Sequence, residues 1–425
     1  MNKLLALELM VCLLTSSVVA FAYEENDLFG KIQEIAVPNQ GLLEVGQFDS
    51  NRLDDIVSLG PSSIVINLLN DSQNFSLLVS VTGGINFPLS SCSADFNSDG
   101  ILDLAIGDGF EGLLVLLGNE TGEFSLIDTF GPVDVTGVAA ADTNGDRILD
   151  LVTHSRETNV ITTYLGQGNG QFLFNSNVAS EGSNGEIALE DFDSDGDMDL
   201  AILTGEISFA PDCVSIYLGD GNGNFDFIDR FSVPDFVNDV VAEDFNMDGD
   251  VDLCCVSRSG VLSFYPGNGD GSFGIANFLS IPEIAFRLIA ADFDNDGLED
   301  LATTHAGELD LVSIFLGSGN GTFTMEQSYN VGDGPFALAK GDLNGDGRPD
   351  LVTGNNTNSV TVLFSIATEI LVGDLNGDCE VDLLDVSPFI ELLGTGQFSE
   401  AADINQDGVL NLLDVGPFVD LLSTG

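Results

Sequence analysis

The chain has 425 residues, with 69 Asp and Glu against 10 Lys and Arg, for a formal net charge of −59. That balance excludes a protein that neutralises a phosphate backbone, so nucleic acid is not among its partners. At 44% hydrophobic the chain still has the side chains for a folded core, and with only 19% charged its carboxylates are concentrated in places that call for counterions.

Residues 1–22 run from Met1-Asn2-Lys3 through an apolar stretch, Leu4 to Val19, to Ala20-Phe21-Ala22, ahead of Tyr23-Glu24-Glu25. A short positive region, a hydrophobic region and an A-x-A site make a cleaved secretory signal, the alternative being an uncleaved anchor. The expectation is a secreted or cell-surface protein with no transmembrane segment after cleavage. Removal of Cys12 leaves Cys92, Cys213, Cys254, Cys255 and Cys379, an odd set without regular spacing, which argues against a disulfide framework. Cys254 and Cys255 lie in the strand-like run Val251 to Val256, where neighbours face opposite ways, so they read as core-filling thiols rather than a vicinal disulfide.

The decisive feature is internal repetition. The segment Asp95-Phe-Asn-Ser-Asp-Gly-Ile-Leu-Asp103-Leu104 recurs from Asp142, Asp191, Asp244, Asp292 and Asp342, with a weaker copy from Gln47 to Ile56. Seven copies at a period of about fifty residues indicate a propeller or solenoid. Each unit carries four short β segments: in the fourth, a strand ending in Ala188-Leu189-Glu190, then Leu200 to Leu203, Val214 to Tyr217 and Phe225 to Phe231. Four-stranded antiparallel units at this period pack radially as blades, which predicts a mainly β fold, a seven-bladed β-propeller, over residues 23–366. The seventh unit lacks a fourth strand after Ser359 to Phe364, and residues 29–37 are expected to supply it and latch the ring.

A second phrase, Tyr164-Leu-Gly-Gln-Gly-Asn-Gly-Gln-Phe172, returns ending in Phe225, Phe273 and Phe323. It precedes no helix, so it reads as a hairpin turn that needs positive φ at glycine rather than as a phosphate loop. The recurring phenylalanines read as packing between blades.

In Asp-x-Asn-x-Asp-Gly-x-x-Asp, short oxygen-bearing side chains fall at positions 1, 3, 5 and 9, position 7 offers its carbonyl, and the glycine permits a sharp turn. A hard cation taking six to eight oxygens, Ca²⁺, fits that set better than Mg²⁺. The expected ligands are Asp95, Asn97, Asp99 and Asp103; Asp142, Asn144, Asp146 and Asp150; Asp191, Asp193, Asp195 and Asp199; Asp244, Asn246, Asp248 and Asp252; Asp292, Asp294, Asp296 and Asp300; Asp342, Asn344, Asp346 and Asp350. The first unit has Gln47 at position 1 and Arg52 in place of glycine, so its site on Asp49, Asn51 and Asp55 is expected to be weak; in the third, Arg147 replaces the glycine but every ligand remains. The count is six strong sites and one weak one.

Together the acidic loop and the glycine-rich turn resemble the FG-GAP (VCBS-type) repeats of integrin α-chain propellers and secreted bacterial proteins. The resemblance implies structural calcium on one face, with ligands bound elsewhere on the propeller.

After a linker at 367–372, a different repeat fills 373–425: Asp374, Asn376, Asp378, Asp382 and Asp385, then Asp403, Asn405, Asp407, Asn411 and Asp414, each set followed by an apolar helix-like stretch with Pro388 or Pro417 near its start. This loop–helix duplication resembles a type I dockerin, a small α-helical domain of paired F-hands. The resemblance implies two further Ca²⁺ sites and a cohesin-type partner for residues 373–423; a calcium-stabilised cap without a partner is the alternative. Cys379 stands where the second loop has Gly408.

Two functions follow. One is a secreted binding or adhesion module whose propeller takes a polysaccharide or cell-surface ligand and whose dockerin-like module anchors it. The other is a carbohydrate-active enzyme, hydrolase or lyase, or an accessory subunit in polysaccharide degradation. The two histidines, His154 and His305, are expected just after second strands and read as structural, and no serine elbow or zinc-type spacing is present. With so many acids, no catalytic carboxylate pair is singled out by sequence, and binding is the favoured reading.

Overall fold

The computed structural model describes residues 28–365, apart from 38–40, 52, 62, 70–74, 81–84, 183–184, 205–211, 235, 283 and 308, and also residue 415. The signal, the linker and the C-terminal module with its ligand sets Asp374 to Asp385 and Asp403 to Asp414 fall outside the described residues.

Seven four-stranded antiparallel sheets form seven blades, numbered here in chain order with strands one to four in sheet order. The first strands, such as Pro88–Ala94 in blade 2 and Val237–Glu243 in blade 5, touch one another successively around a closed ring of seven and line its centre. Every second strand begins at the position-9 aspartate, as in Asp103–Asp108 and Asp199–Thr204, and is buried along its whole length. These strands read as continuous apolar runs because a blade covers them on both faces. Fourth strands such as Ser125–Phe130 lie at the exposed outer edge.

Blade 7 takes its fourth strand from the other end of the chain: Phe29–Ala36 lies beside Ser359–Ser365. Just beyond that pairing the Val37 amide donates to the Asn358 carbonyl at 2.8 Å, and Ile35 and Val37 pack with Val360, Val362 and Phe364. The register between third and fourth strands slips once in blades 2, 3, 4 and 6, at Val115/Leu116, Thr163/Tyr164, Ile216/Tyr217 and Ile314/Phe315, a bulge that sharpens the local twist. Blade 5 differs, its fourth strand being only Asn277–Ser280 with pairing that stops at Phe264. Pro266 stands where the other turns have leucine and has no amide proton for the ladder.

The core lies between blades. Cys255 packs with Phe192 and Val214 of blade 4, whereas Cys254 packs with Leu301 and Phe315 of blade 6, so the two thiols face opposite ways and both are free. The recurring aromatics stitch neighbours edge to face: Phe48 to Phe124, Phe96 to Phe172, Phe192 to Phe273 and Phe245 to Phe323, with ring centroids 5.3–5.8 Å apart. In each pair one ring comes from the acidic loop and the other from the glycine-rich turn of the next blade. Three of these junctions, and the one between blades 3 and 4 where Thr143 stands in place of the phenylalanine, carry a backbone bond from Gly170, Gly223, Gly271 and Gly321 to the carbonyls of Phe96, Thr143, Phe192 and Phe245 at 2.9–3.2 Å. Gly170 has φ +78°, and a Cβ there would sit 2.6 Å from Leu117 Cδ2, so the turn needs glycine for both conformation and approach.

The histidines are inside second strands rather than beyond them, because pairing with the third strands extends that far: His154 opposite Ile161, His305 opposite Leu311. His154 is buried, with Nδ1 2.9 Å from the Thr136 hydroxyl and Nε2 3.2 Å from the Gly182 carbonyl. Burial lowers its pKa to about 4, so it is a neutral structural group at physiological pH.

Candidate metal centres

The acidic loops share one backbone. Position 6 is left-handed, with φ between 84° and 94° at Gly100, Gly196, Gly249, Gly297 and Gly347, and 69° at Arg147. No atom would meet a Cβ at Gly100, Gly196 or Gly249, so the demand there is conformational, and Arg147 meets it at a cost of about 1 kcal/mol. Position 4 is left-handed too, at Ser98, Ser194, Met247 and Asn295 with φ 59–62°. Sequence reasoning missed this, although Gly145 and Gly345, with φ 73° and 77°, stand at the same position in blades 3 and 7.

Two left-handed residues fold the loop back on its own first carboxylate. In blade 2, Asp95 accepts the amides of Asp99 and Gly100 at 3.1 and 2.8 Å, Asn97 accepts that of Asp99, and Asp99 accepts that of Ile101. The pattern repeats at Asp191, at Asp244 and at Asp292. Blade 3 follows it from Asp142, and blade 7 from Asp342, whose carboxylate also takes the Gly345 amide. Positions 1, 3 and 5 are thus gathered on one exposed face with acceptor capacity to spare, each carboxylate having about four lone-pair sites.

Position 9 is different. Asp55, Asp103, Asp150, Asp199, Asp252, Asp300 and Asp350 are all buried. Asp103 accepts the Phe96 amide at 2.9 Å with one oxygen and the Gly118 amide at 2.8 Å with the other, tying its loop to the end of the third strand. Asp150, Asp199 and Asp300 do the same. Desolvation, opposed by these bonds and reinforced by neighbouring carboxylates, raises Asp103, Asp199 and Asp252 to about 6 and Asp300 and Asp55 to about 7. A hard cation would reverse that shift by supplying the missing positive charge.

The donor set fits such an ion. Oxygens of Asp191, Asp193 and Asp195 lie within 4.8 Å of one another, as do those of Asp292, Asp294 and Asp300. Position 9 joins the gathered group in the second of these and position 5 in the first. In blades 5 and 7 the position-3 Asn turns its amide toward position 9: Asn246 Nδ2 to Asp252 at 3.1 Å and Asn344 Nδ2 to Asp350 at 3.4 Å. The first loop lacks a position-1 carboxylate, and its Asp49 and Asn51 bond each other while Asn51 also donates to the Leu69 carbonyl at 2.6 Å. Its neighbour Asp54 accepts the Asp342 amide at 2.8 Å, joining blade 1 to the loop of blade 7. The extra acid before Asp55 was the only sequence sign of that bond.

A second ionisable group lies outside the loops. A cavity of about 180 Å³ among the first strands is lined by Glu44, Ser90, Ser91, Glu186, Asp239 and Arg287. Arg287 binds Glu186, with Asp239 at 3.8 Å, and Asp239 also takes the Leu288 and Val240 amides. Burial outweighs Arg287 and moves Asp239 up to about 7. Glu44 is held by the Ser91 and Ser93 hydroxyls at 2.6 and 2.9 Å, and its pKa too is raised by burial. These residues come from separate blades, so no local motif announces them.

The model of the FG-GAP-like repeat matches residues 95–153, 191–255, 244–303 and 292–353, register for register with the acidic loops. The chain belongs to the FG-GAP-like repeat family. Residues 372–416 match the type I dockerin domain, a calcium-binding domain whose partners are cohesins. FG-GAP and dockerin domains are typical of extracellular or cell-surface proteins, and no helix among the described residues is long and apolar enough to cross a membrane. No curated protein matches the chain. Among solved structures, this FG-GAP chain is similar to an Agrocybe aegerita lectin described as recognising non-reducing terminal N-acetylglucosamine, at 16% identity and TM-score 0.50 over 69% of this chain and 80% of that one. It is also similar to BBS1N in complex with ARL6DN, in a mercury soak at 12% identity and TM-score 0.54 and in a lead soak at 10% and 0.57, each over 78% of this chain and 94% of the other. At these identities the likeness is one of fold.

Proposed function

We propose that this FG-GAP protein is an exported, calcium-stabilised binding module whose propeller presents a polysaccharide- or cell-surface-binding site and whose dockerin domain docks it to a cohesin-bearing partner. The observation that carries the reading is the union on one chain of a dockerin domain and a propeller whose repeated carboxylates are gathered into turn-forming loops. Six propeller loops would each hold one Ca²⁺, the first loop a seventh more weakly, and the dockerin loops two more. The ion's part is to neutralise the gathered carboxylates and lock the turn that starts each second strand; the position-9 aspartates do the rest by clamping two strand ends through backbone amides. The lectin similarity supports the reading only so far as a related fold is compatible with sugar recognition.

The test is to incubate the calcium-saturated protein with soluble polysaccharides and follow co-elution and polymer length by size-exclusion chromatography, with immobilised type I cohesin as a second bait. Co-elution without shortening, and cohesin capture abolished by EGTA, are expected. A second reading, a polysaccharide hydrolase or lyase, draws on the three carboxylates lining the central cavity. Against it, two of them are engaged by Arg287 and the third by two serines. Shortening of a polymer that is lost in Glu44→Gln or Asp239→Asn would establish it.

A further inference from the structure

Blade 2 differs from its six siblings at the end away from the acidic loop. Where the other second strands finish in Gly60, Ser155, Thr204, Ser257, His305 and Asn355, this one finishes in Asp108. Asp108 is fully buried, and its two oxygens hold two loops at once: Oδ2 accepts the Asn86 and Phe87 amides at 2.8 and 2.7 Å, Oδ1 those of Phe110 and Glu111 at 2.8 and 3.1 Å. The Gly109 amide donates to the Phe87 carbonyl at 2.9 Å, and a Cβ at Gly109 would lie 3.3 Å from the Phe87 ring. Two aromatic rings are thereby fixed in solvent, Phe87 52% and Phe110 69% exposed, with centroids 6.4 Å apart. Beside them Asn86 Nδ2 donates to Glu111 Oε1 at 2.6 Å, and both residues are exposed, with one carboxylate oxygen and the amide oxygen not used in that bond.

We propose that Phe87, Phe110, Asn86 and Glu111 form a stacking platform for a pyranose ring of a neutral polysaccharide. This assignment rests on the propeller's being a polysaccharide-binding module. A pyranose has a face of C–H groups made slightly positive by their oxygens, which suits the negative face of a phenyl ring, and hydroxyls at its edge that donate to a carboxylate and an amide oxygen. Two rings with polar neighbours match one or two sugars and fall far short of the roughly 800 Å² a protein partner would bury. The chain's formal net charge of −59 turns away polyanions and favours a neutral polymer. Because Asp108 fixes both loops through backbone amides, little ordering remains to oppose binding.

The experiment is affinity gel electrophoresis of the full chain in Ca²⁺ with xylan, mannan, mixed-linkage β-glucan and galactan in the gel. Variants are Phe110→Ala, Phe110→Tyr, Glu111→Gln and, as a control elsewhere on the same side of the ring, the equally exposed Phe236→Ala. Wild type retarded by at least one polymer, Phe110→Ala weakened about tenfold, Phe110→Tyr retained, Glu111→Gln weakened and Phe236→Ala unchanged is the expected result. Retardation that Phe110→Ala leaves intact overturns the platform while preserving the polysaccharide reading. A wild type that no polymer retards overturns both, and loss of a protein partner instead of a polymer in Phe110→Ala assigns the rings to a protein surface and overturns the sugar.

Discussion

Asp103 and Asp99 belong to the same acidic loop but make different demands on the fold, and substituting each by alanine separates ligation from clamping. Asp99 is exposed and holds one amide; Asp103 is buried and holds the Phe96 and Gly118 amides. In Ca²⁺ both variants lose one proposed ligand, but Asp103→Ala also orphans two buried donors at about 1–3 kcal/mol each, so it should be the less stable by about 4 kcal/mol. An unfolding entropy of about 2.1 cal/mol/K per residue over roughly 340 residues converts this to a melting point about 6 °C lower for Asp103→Ala than for Asp99→Ala. Asp103→Asn, which keeps one carbonyl acceptor, should fall between them. The chain has no Trp, so far-ultraviolet circular dichroism is the readout. In EGTA the gap should narrow, since removing Asp103 also removes a carboxylate that burial holds at about 6. Asp103→Ala and Asp99→Ala melting together in Ca²⁺ would show that position 9 is a ligand and no clamp.

Metal removal should change the sign of the pH dependence. Asp103, Asp199, Asp252, Asp300 and Asp55 have folded pKa values of about 6 to 7, raised above the unfolded carboxylate value, so the metal-free protein binds protons more tightly when folded and should lose stability as pH rises from about 4 to 7; melts in EGTA against pH check the slope, which saturating Ca²⁺ should flatten or invert. Gly170→Ala puts a Cβ 2.6 Å from Leu117 at φ +78° and should destabilise the propeller by about 2 kcal/mol or more in urea unfolding, against little for Gly100→Ala beyond its left-handed backbone strain. Arg287→Met leaves Glu186 and Asp239 without their cation and should cost about 3 kcal/mol at pH 8, less at pH 5 where Asp239 takes up a proton, measured by the same unfolding.

The blades were legible because their signals are local. The aspartate spacing marks the start of every second strand, the glycine-rich turn marks the third-to-fourth hairpin, and alternation separates Cys254 from Cys255. What sequence did not disclose depends on residues far apart along the chain or on backbone conformation that a glycine marks in only two of the loops. Position 4 is left-handed at Ser98 and Met247 because carboxylate acceptors hold the turn there. Position 9 reads as one ligand among equals, yet burial makes it the anchor of two strands. Glu186, Asp239 and Arg287 meet only because three first strands converge, and Asp108 acquires its place by ending a strand beside a loop about twenty residues earlier.

The bonds from each glycine-rich turn to the preceding blade's acidic loop all run the same way round the ring. Blade 2 is gripped by blade 3, blade 3 by blade 4, blade 4 by blade 5 and blade 5 by blade 6, whereas blade 7 meets blade 1 through Asp54 and the Asp342 amide. Four consecutive joints, from blade 2 to blade 6, therefore share one kind of coupling, and the joint where the two ends of the propeller sequence meet is made differently. Tension applied through a C-terminal anchor arrives at a blade fastened by a strand and a carboxylate instead of by the repeated turn, so the way the module yields to a pull is set by where the chain happens to close its circle.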